Sequence, residues 1–332
     1  GIATKREHFP AVIALVGELL REASFPDAVL EEQRAQALTA VEQQRKEPEA
    51  VLANAIARHA NRWPRGDVRH ARSFDEVVAD LRAVTAEQLR TFHRRFYGAS
   101  QAQFGASGDM DVAAVRAALE AAFGAWKSAE PYARVPVPLS PPAPARLMLA
   151  TPDKQNANMA VYLPVPLTDT DTDYAALTVA NHLLGSGGNS RLWQRIREKE
   201  GLSYGVFSWI AWNPDEPNSP WQAEAIFAPQ NRAKVEAAFR EELARALKDG
   251  FNAAELAEAQ RGLVATRRLQ RAQDVRLAAA LASNLRLERT FALSQKVDDA
   301  IAGVTLAQVN AALRKYLRPE ALVIGFAGDF KE

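Results

Sequence analysis

Residues 84–110, VTAEQLRTFHRRFYGASQAQFGASGDM, align without a gap on residues 304–330, VTLAQVNAALRKYLRPEALVIGFAGDF, at an offset of 220. Val84, Thr85, Gln88, Arg94, Gly105, Gly108 and Asp109 stand opposite Val304, Thr305, Gln308, Arg314, Gly325, Gly328 and Asp329. Each copy opens with a Thr placed to cap a helix. Apolar residues at helical spacing follow, Leu89, Phe92 and Phe96 in the first and Val309, Leu313 and Tyr316 in the second. Each copy then closes with a short predicted strand and a Gly-Asp turn. A second match sets FPDAVLEEQR (25–34) against FNAAELAEAQ (251–260), now offset by 226. Each segment follows an amphipathic stretch, carried by Val12, Leu15, Val16, Leu19 and Leu20 in one copy and by Val235, Phe239, Leu243 and Leu247 in the other. Self-similarity over this length reads as two related modules.

Between the copies lies PYARVPVPLSPPAPAR (131–146), with six prolines in sixteen residues. Proline fixes φ and removes a backbone donor, so an extended connector is predicted. The expected organisation is therefore a first module at 1–130, a linker at 131–146 and a second module at 147–332. The second module opens with strand-like LMLAT (147–151) and NMAVYLPV (158–165). A helix from Tyr174 to Leu184 closes at Gly185, and another, capped by Ser190, runs to Glu200 and ends at Gly201. LSYGVFSWIAW (202–212), WQAEAIF (221–227) and ALVIGFA (321–327) read as further strands, with helices filling the interval to about Lys315. The fold class predicted is α+β: two related layered domains, each a mostly antiparallel sheet covered by helices. The repeat offset places the counterpart of residues 147 to roughly 220 ahead of Gly1, so the first module is expected to lack its opening part. A chain that begins Gly-Ile-Ala reads as a mature chain or a piece of something longer.

Composition removes several function classes. With 41 basic and 40 acidic side chains the net charge is +1, which gives no footprint for nucleic acid. Arg267, Arg268 and Arg271 are followed by Asp274 and read as a solvated helix face. The longest apolar run, Ala11 to Leu20, carries Glu18 and falls short of the ~18 residues that span a bilayer. Without cysteine there is no disulfide, zinc-thiolate site or thiol nucleophile, and an oxidising compartment is tolerated. The five histidines form neither H-E-x-x-H nor H-x-x-E-H, so no metal site is predicted in this chain. His182 reads as a hydrogen-bonded packing residue, and His59, His70 and His93 as surface groups. GSGGN (185–189) lacks the Lys-Ser/Thr of a phosphate loop and reads as a tight helix–helix turn. No G-x-S-x-G elbow is present, and Ser107 and Ser203 have no partner that sequence identifies.

The stretch with chemistry to offer is SRLWQRIREKEGLSYGVFS (190–208). Arg197 falls on a helix and Tyr204, seven residues on, falls on the next strand, with Gly201 turning the chain between them. A guanidinium and a phenol at one place make a donor pair for a peptide carbonyl or a developing oxyanion. The same residues also read as an Arg paired with Glu198 or Glu200 beside a half-buried Tyr.

GSGGNSRLWQRIREKEGLSYGVFS resembles the C-terminal domain of the pitrilysin-type zinc peptidases, which include insulin-degrading enzyme, the mitochondrial processing peptidases and bacterial periplasmic relatives. Their C-terminal domains carry an Arg and a Tyr seven apart in a stretch like R-E-x-x-G-L-x-Y, and Arg197 and Tyr204 fall on that pair. DTDYAALTVANHLLG resembles the helix ahead of the glycine loop. The endings GASGD (105–109) and GFAGD (325–329) resemble the strand-turn that closes the core of these domains. The resemblance implies pairs of similar α+β domains enclosing a chamber for unfolded peptides. It implies zinc held by H-x-x-E-H in an N-terminal domain and Arg197 and Tyr204 contacting substrate or transition state across the chamber. The chain is then expected to be the non-zinc, substrate-binding half of a metalloendopeptidase. Its expected partners are an N-terminal zinc-binding half and a peptide, with no nucleic acid and no membrane, and its expected location is the periplasm. No cofactor is expected in the chain itself. If it were instead the remnant of a two-domain enzyme, the helix at 31–50 could hold a downstream metal ligand, with Glu42 the nearest candidate. A non-catalytic scaffold of the same fold is the alternative function.

Overall fold

The computed structural model describes residues 1–331. The elements are α1 (Phe9–Arg21), α2 (Asp27–Gln44), α3 (Pro48–Ala60), α4 (Phe74–Ala83), α5 (Ala86–Phe96), α6 (Val112–Phe123), β1 (Ala145–Ala150), β2 (Ala157–Val165), α7 (Tyr174–Asn181), β3 (Ser203–Ile210), β4 (Ser219–Phe227), α8 (Arg232–Asp249), α9 (Ala253–Arg271), α10 (Asp274–Arg286), α11 (Phe291–Gly303), α12 (Leu306–Tyr316) and β5 (Val323–Gly328). This is the predicted α+β class: many helices around a five-stranded, mostly antiparallel sheet of order β1-β5-β2-β4-β3. Only β1 and β5 run parallel. Thr85 and Thr305 both cap their helices through a full capping box with Gln88 and Gln308.

The chain divides into two compact units. One comprises Gly1–Thr39, Val78–Val135 and Thr266–Gln295; the other comprises Ala40–Val77, Pro136–Ala265 and Lys296–Glu332. The second holds the whole sheet. Alternation along β2 and β4 turns Met159, Val161, Leu163, Trp221, Ala223 and Phe227 to one face, where they are buried with Phe239 of α8 and Leu313 of α12. On the opposite face Leu52 and Ile56 of α3 pack on Val323 and Ala327 of β5, with Leu147 and Tyr162 beside them.

Two segments are exchanged relative to the sequence repeat. Residues 40–77, from the first copy, sit in the unit built by the second, and residues 266–295, from the second copy, sit in the other. The paired glycines show why. A Cβ on Gly325 would overlap Leu52 of α3, and a Cβ on Gly105 would overlap the carbonyl oxygen of Ala278 of α10. Leu52 and Ala278 are themselves separated by the second repeat offset, 226. In each unit a helix from the other copy lies close to the repeated glycine: at Gly105 its backbone leaves no room for a side chain, and at Gly325 the Leu52 side chain would have to shift.

The first copy departs from its twin at two places. The short strand expected before Gly108 does not form: residues 102–107 are neither helix nor strand. A strand needs a paired neighbour for its N–H and C=O groups, and that unit contains no other strand among its described residues. Second, the apolar stripe of α5 is bare. Phe92, Phe96 and Tyr97 are 55%, 47% and 45% exposed, whereas their counterparts Ala312, Tyr316 and Leu317 are buried. In the second copy that face lies against α7.

Candidate functional site

After α7 the chain widens into a π-helical turn, His182–Ser186, rather than continuing as an α-helix to Leu184. Gly185 is required by packing: a Cβ there would overlap the Ser208 hydroxyl of β3. His182 makes no side-chain hydrogen bond among the described residues, contrary to its reading as a hydrogen-bonded group. Its ring packs against Gly187, and burial pushes its pKa down. The helix expected from Ser190 is largely a second π-helical segment, Trp193–Lys199, and the buried Ser190 hydroxyl caps nothing. His70 and His93 are not free surface groups. His70 bonds the Trp63 carbonyl and Glu76, and His93 bonds the Leu20 carbonyl.

The turn that joins Arg197 to Tyr204 is closed by two backbone bonds, Gly201 N–H to Arg197 O at 3.1 Å and Leu202 N–H to Ile196 O at 2.9 Å. Gly201 has φ +59°, a left-handed conformation that glycine enters at no cost. Ile196 and Leu202 are buried and fix the turn to the core. Arg197 is thereby held beside Tyr204: its Nε donates to the Tyr204 carbonyl at 3.1 Å. The guanidinium lies over the Trp193 ring, 4.7 Å from its centroid, and Nη1 pairs with Glu198 at 2.8 Å. Trp193 Nε1 donates to the same Glu198 oxygen at 3.0 Å. Of the two acidic partners that sequence leaves open, Glu198 is therefore the one used, while Glu200 bonds Arg195.

Tyr204 is not half-buried. It is 67% exposed, and its phenol oxygen has no partner among the described residues. The cause is a β-bulge. Ser203 pairs with Phe227 and Gly205 with Ile226, so Tyr204 is the extra residue, outside the ladder. The Ser203 hydroxyl stitches the bulge, lying 2.7 Å from the carbonyls of both Gly205 and Ile226 and accepting from Gly205 N–H at 3.2 Å. Sequence gave no reason to single out Ser203 for this role; the glycines at 201 and 205 around it are the one signal. β3 is also an edge strand, paired only with β4. Arg197 and Tyr204 thus present a polarised guanidinium and an unpaired phenol at an open sheet edge.

Among the described residues no three His, Cys, Asp or Glu side chains come together in a way that could hold a metal ion. Glu42 pairs with Arg45 on an exposed helix surface and joins no such group. No helix of the described residues is long and apolar enough to cross a membrane.

A family model, the peptidase M16 inactive domain, matches residues 83–263, more than half of the chain. The chain belongs to the peptidase M16 inactive-domain family. The resemblance to pitrilysin-type zinc peptidases is thereby confirmed at the level of family. This M16 domain is 35% identical over 156 residues to an uncharacterised zinc protease of Streptomyces coelicolor, a match covering 44% of the chain and 33% of that protein. An uncharacterised zinc protease of Mycobacterium tuberculosis is 27% identical over 174 residues, covering 52% of the chain and 39% of the relative. The matches thus span little more than a third of the curated relatives. The fold is shared with the M16 inactive domain from Pseudomonas fluorescens (TM-score 0.79, 22% identity, 96% of this chain and 74% of that one). It is shared also with the periplasmic protease PqqL of Escherichia coli (TM-score 0.71, 15% identity, 98% of this chain and 35% of that one).

Proposed function

We propose that this M16 domain is the substrate-binding, non-zinc half of a zinc metalloendopeptidase, with Arg197 and Tyr204 contacting the peptide. The observation that carries this reading is the bare face of α5. Phe92, Phe96 and Tyr97 are exposed where the repeat predicts burial, so the first module is completed by polypeptide from the zinc-bearing half. On this reading the zinc and the water it activates are supplied by that other half, as kinship with zinc proteases suggests. The part of this chain is to bind and orient. The exposed phenol of Tyr204 and the outer nitrogen of Arg197 supply hydrogen bonds to a peptide carbonyl whose oxygen gains charge during hydrolysis. Likeness of fold to a periplasmic protease supports a periplasmic location, which a chain without cysteine tolerates.

The experiment is reconstitution. The chain alone is expected to hydrolyse no peptide and to hold no stoichiometric zinc. Combined with the zinc-bearing half it is expected to support turnover, with Phe92, Phe96 and Tyr97 protected from solvent. Hydrolysis and stoichiometric zinc in the isolated chain would overturn the reading. A scaffold role would appear as assembly with no turnover and no effect of Arg197→Ala or Tyr204→Phe.

A further inference from the structure

The indole, guanidinium and carboxylate beside the bulge are brought together by the local helix type. In an α-helix a side chain meets those three and four residues on, and the fifth lies about 140° round the axis. A π-helix closes its backbone bonds from i to i+5, so the fifth residue comes back over the first. Residues Trp193–Lys199 are π-helical. Trp193 there reaches both Arg197, four residues on, and Glu198, five on. Arg195 reaches Glu200 at the same spacing of five. An α-helix through this segment would bring Arg197 to the indole and turn Glu198 away from it.

Three contacts converge on one guanidinium. Trp193 packs on the core of the sheet-bearing unit and lends its ring face, the centroid 4.7 Å from Arg197 Cζ. Its Nε1 donates to Glu198 Oε1 at 3.0 Å, and that oxygen accepts again from Arg197 Nη1 at 2.8 Å. Arg197 Nε donates to the Tyr204 carbonyl at 3.1 Å. An isolated ion pair between exposed side chains restrains little. Here the carboxylate is itself tied to an indole anchored on the core, and the cation is held at two nitrogens and one face. Nη2 is the nitrogen left over, without a partner among the described residues. Rotation about the Cζ–Nε bond would break the contact with Glu198, so Nη2 keeps one direction.

We infer that Trp193 and Glu198 are positioning residues: they fix the Arg197 guanidinium so that Nη2 alone is offered to the peptide. The inference rests on the proposal that Arg197 binds peptide, and its first test needs no turnover. In NMR spectra of the chain isotope-labelled at arginine, with Arg197 assigned through Arg197→Lys, Nη1 and Nη2 are expected as two separate signals. Glu198→Ala is expected to merge them into one averaged signal. Glu198→Gln keeps an acceptor oxygen and should keep them separate. Trp193→Phe keeps the ring, loses the N–H and should broaden them. Melting curves would check that the variants fold, and Trp193→Phe serves where Glu198→Ala does not. One averaged signal in the wild type, or two undiminished signals in Glu198→Ala or Trp193→Phe, would overturn the inference. The second test is a double-mutant cycle with the zinc-bearing half present. Glu198→Ala should lower kcat about tenfold with KM little changed, short of the roughly 10²–10³ lost with a donor itself. It should lower kcat no further in an Arg197→Ala background. A loss that persists without Arg197 would show that Glu198 acts by another route and overturn the inference. Two signals with turnover unaffected by Arg197→Ala would sink the peptide-contact reading and leave the restrained guanidinium standing. One signal with turnover lost in Arg197→Ala would do the reverse.

Discussion

Arg197 reaches Tyr204 through the backbone: Nε donates to the Tyr204 carbonyl at 3.1 Å, and the phenol is left to solvent. The two side chains can therefore be separated by mutation. Tyr204→Phe removes an exposed O–H and no internal contact, so stability should stay within about 0.5 kcal/mol of wild type. With the zinc-bearing half present, kcat should fall by about 10²–10³, the usual cost of one transition-state donor. Arg197→Ala also removes the bond at the bulge and should cost about 1 kcal/mol of stability in addition to turnover. Thermal melts with single-turnover kinetics distinguish the two. A Tyr204→Phe variant with full kcat would show that the phenol does not meet the reacting carbonyl.

The repeated glycines should differ in tolerance although they occupy the same place in the repeat. At Gly325 the atom in the way is the tip of the Leu52 side chain, which can swing aside; at Gly105 it is backbone, the Ala278 carbonyl. Gly105→Ala should therefore be the more damaging, at the upper end of the ~1–3 kcal/mol typical of overpacking, and Gly325→Ala the milder. Combined with Leu52→Ala, Gly325→Ala should cost less than the two single losses summed, a coupling that a double-mutant cycle would measure by denaturant titration. Equal costs at the two glycines, or no coupling with Leu52, would contradict the close-approach account.

Local signals carried much of this structure. Thr85 and Thr305, each followed by Gln at the third helical position, mark helix starts because the capping box is a purely local bond pattern. The strands from Ala157 to Phe227 were legible from alternation and β-branched content, which need only near neighbours. The exchange of α3 and α10 was not legible, because a glycine made necessary by a distant helix looks the same in sequence as one made necessary by a turn. The π-helical segments also escaped notice, since apolar spacing does not distinguish them from an α-helix over five to seven residues. At the site, the Arg197–Tyr204 spacing was visible. The bulge that turns Tyr204 outward was not, because it depends on how Ser203 and Gly205 register against β4.

A buried network under the site should be costly to break. Asn181 Oδ1 accepts from Ser208 Oγ at 2.7 Å and from Trp221 Nε1 at 2.8 Å, all within the core that supports β3. Asn181→Leu would leave a hydroxyl and an indole N–H buried without their acceptor, at about 1–3 kcal/mol each. Asn181→Asp keeps the Oδ1 acceptor but replaces the Nδ2 donor to the Ser208 carbonyl (3.3 Å) with a second oxygen, so it should cost more at neutral pH, where a charged carboxylate is buried against that carbonyl, than once the carboxyl is protonated and can donate to it. Urea titrations of both variants would test this, and an Asn181→Leu variant as stable as wild type would contradict the network's role.

The last prediction concerns pH. Charged His70 donates from Nδ1 to the Trp63 carbonyl (2.8 Å) and from Nε2 to Glu76 (3.2 Å), and those bonds, the carbonyl first and then Glu76, raise its pKa above the usual histidine value. Glu76 is lowered to about 2, first by the Ser73 backbone N–H and then by His70. A raised histidine stabilises the fold fully below 6.5, and its contribution is lost as pH climbs through the folded pKa. A depressed carboxylate stabilises above 4.5 and is lost as pH falls toward 2. The pair therefore contributes most between about pH 4.5 and 6.5. Glu76→Gln should lower the His70 pKa in an NMR titration of its ring protons. The stability gap between wild type and variant should be widest inside that window and narrow on both sides of it. A His70 titration unmoved by the substitution would show that the Trp63 carbonyl alone sets its charge state.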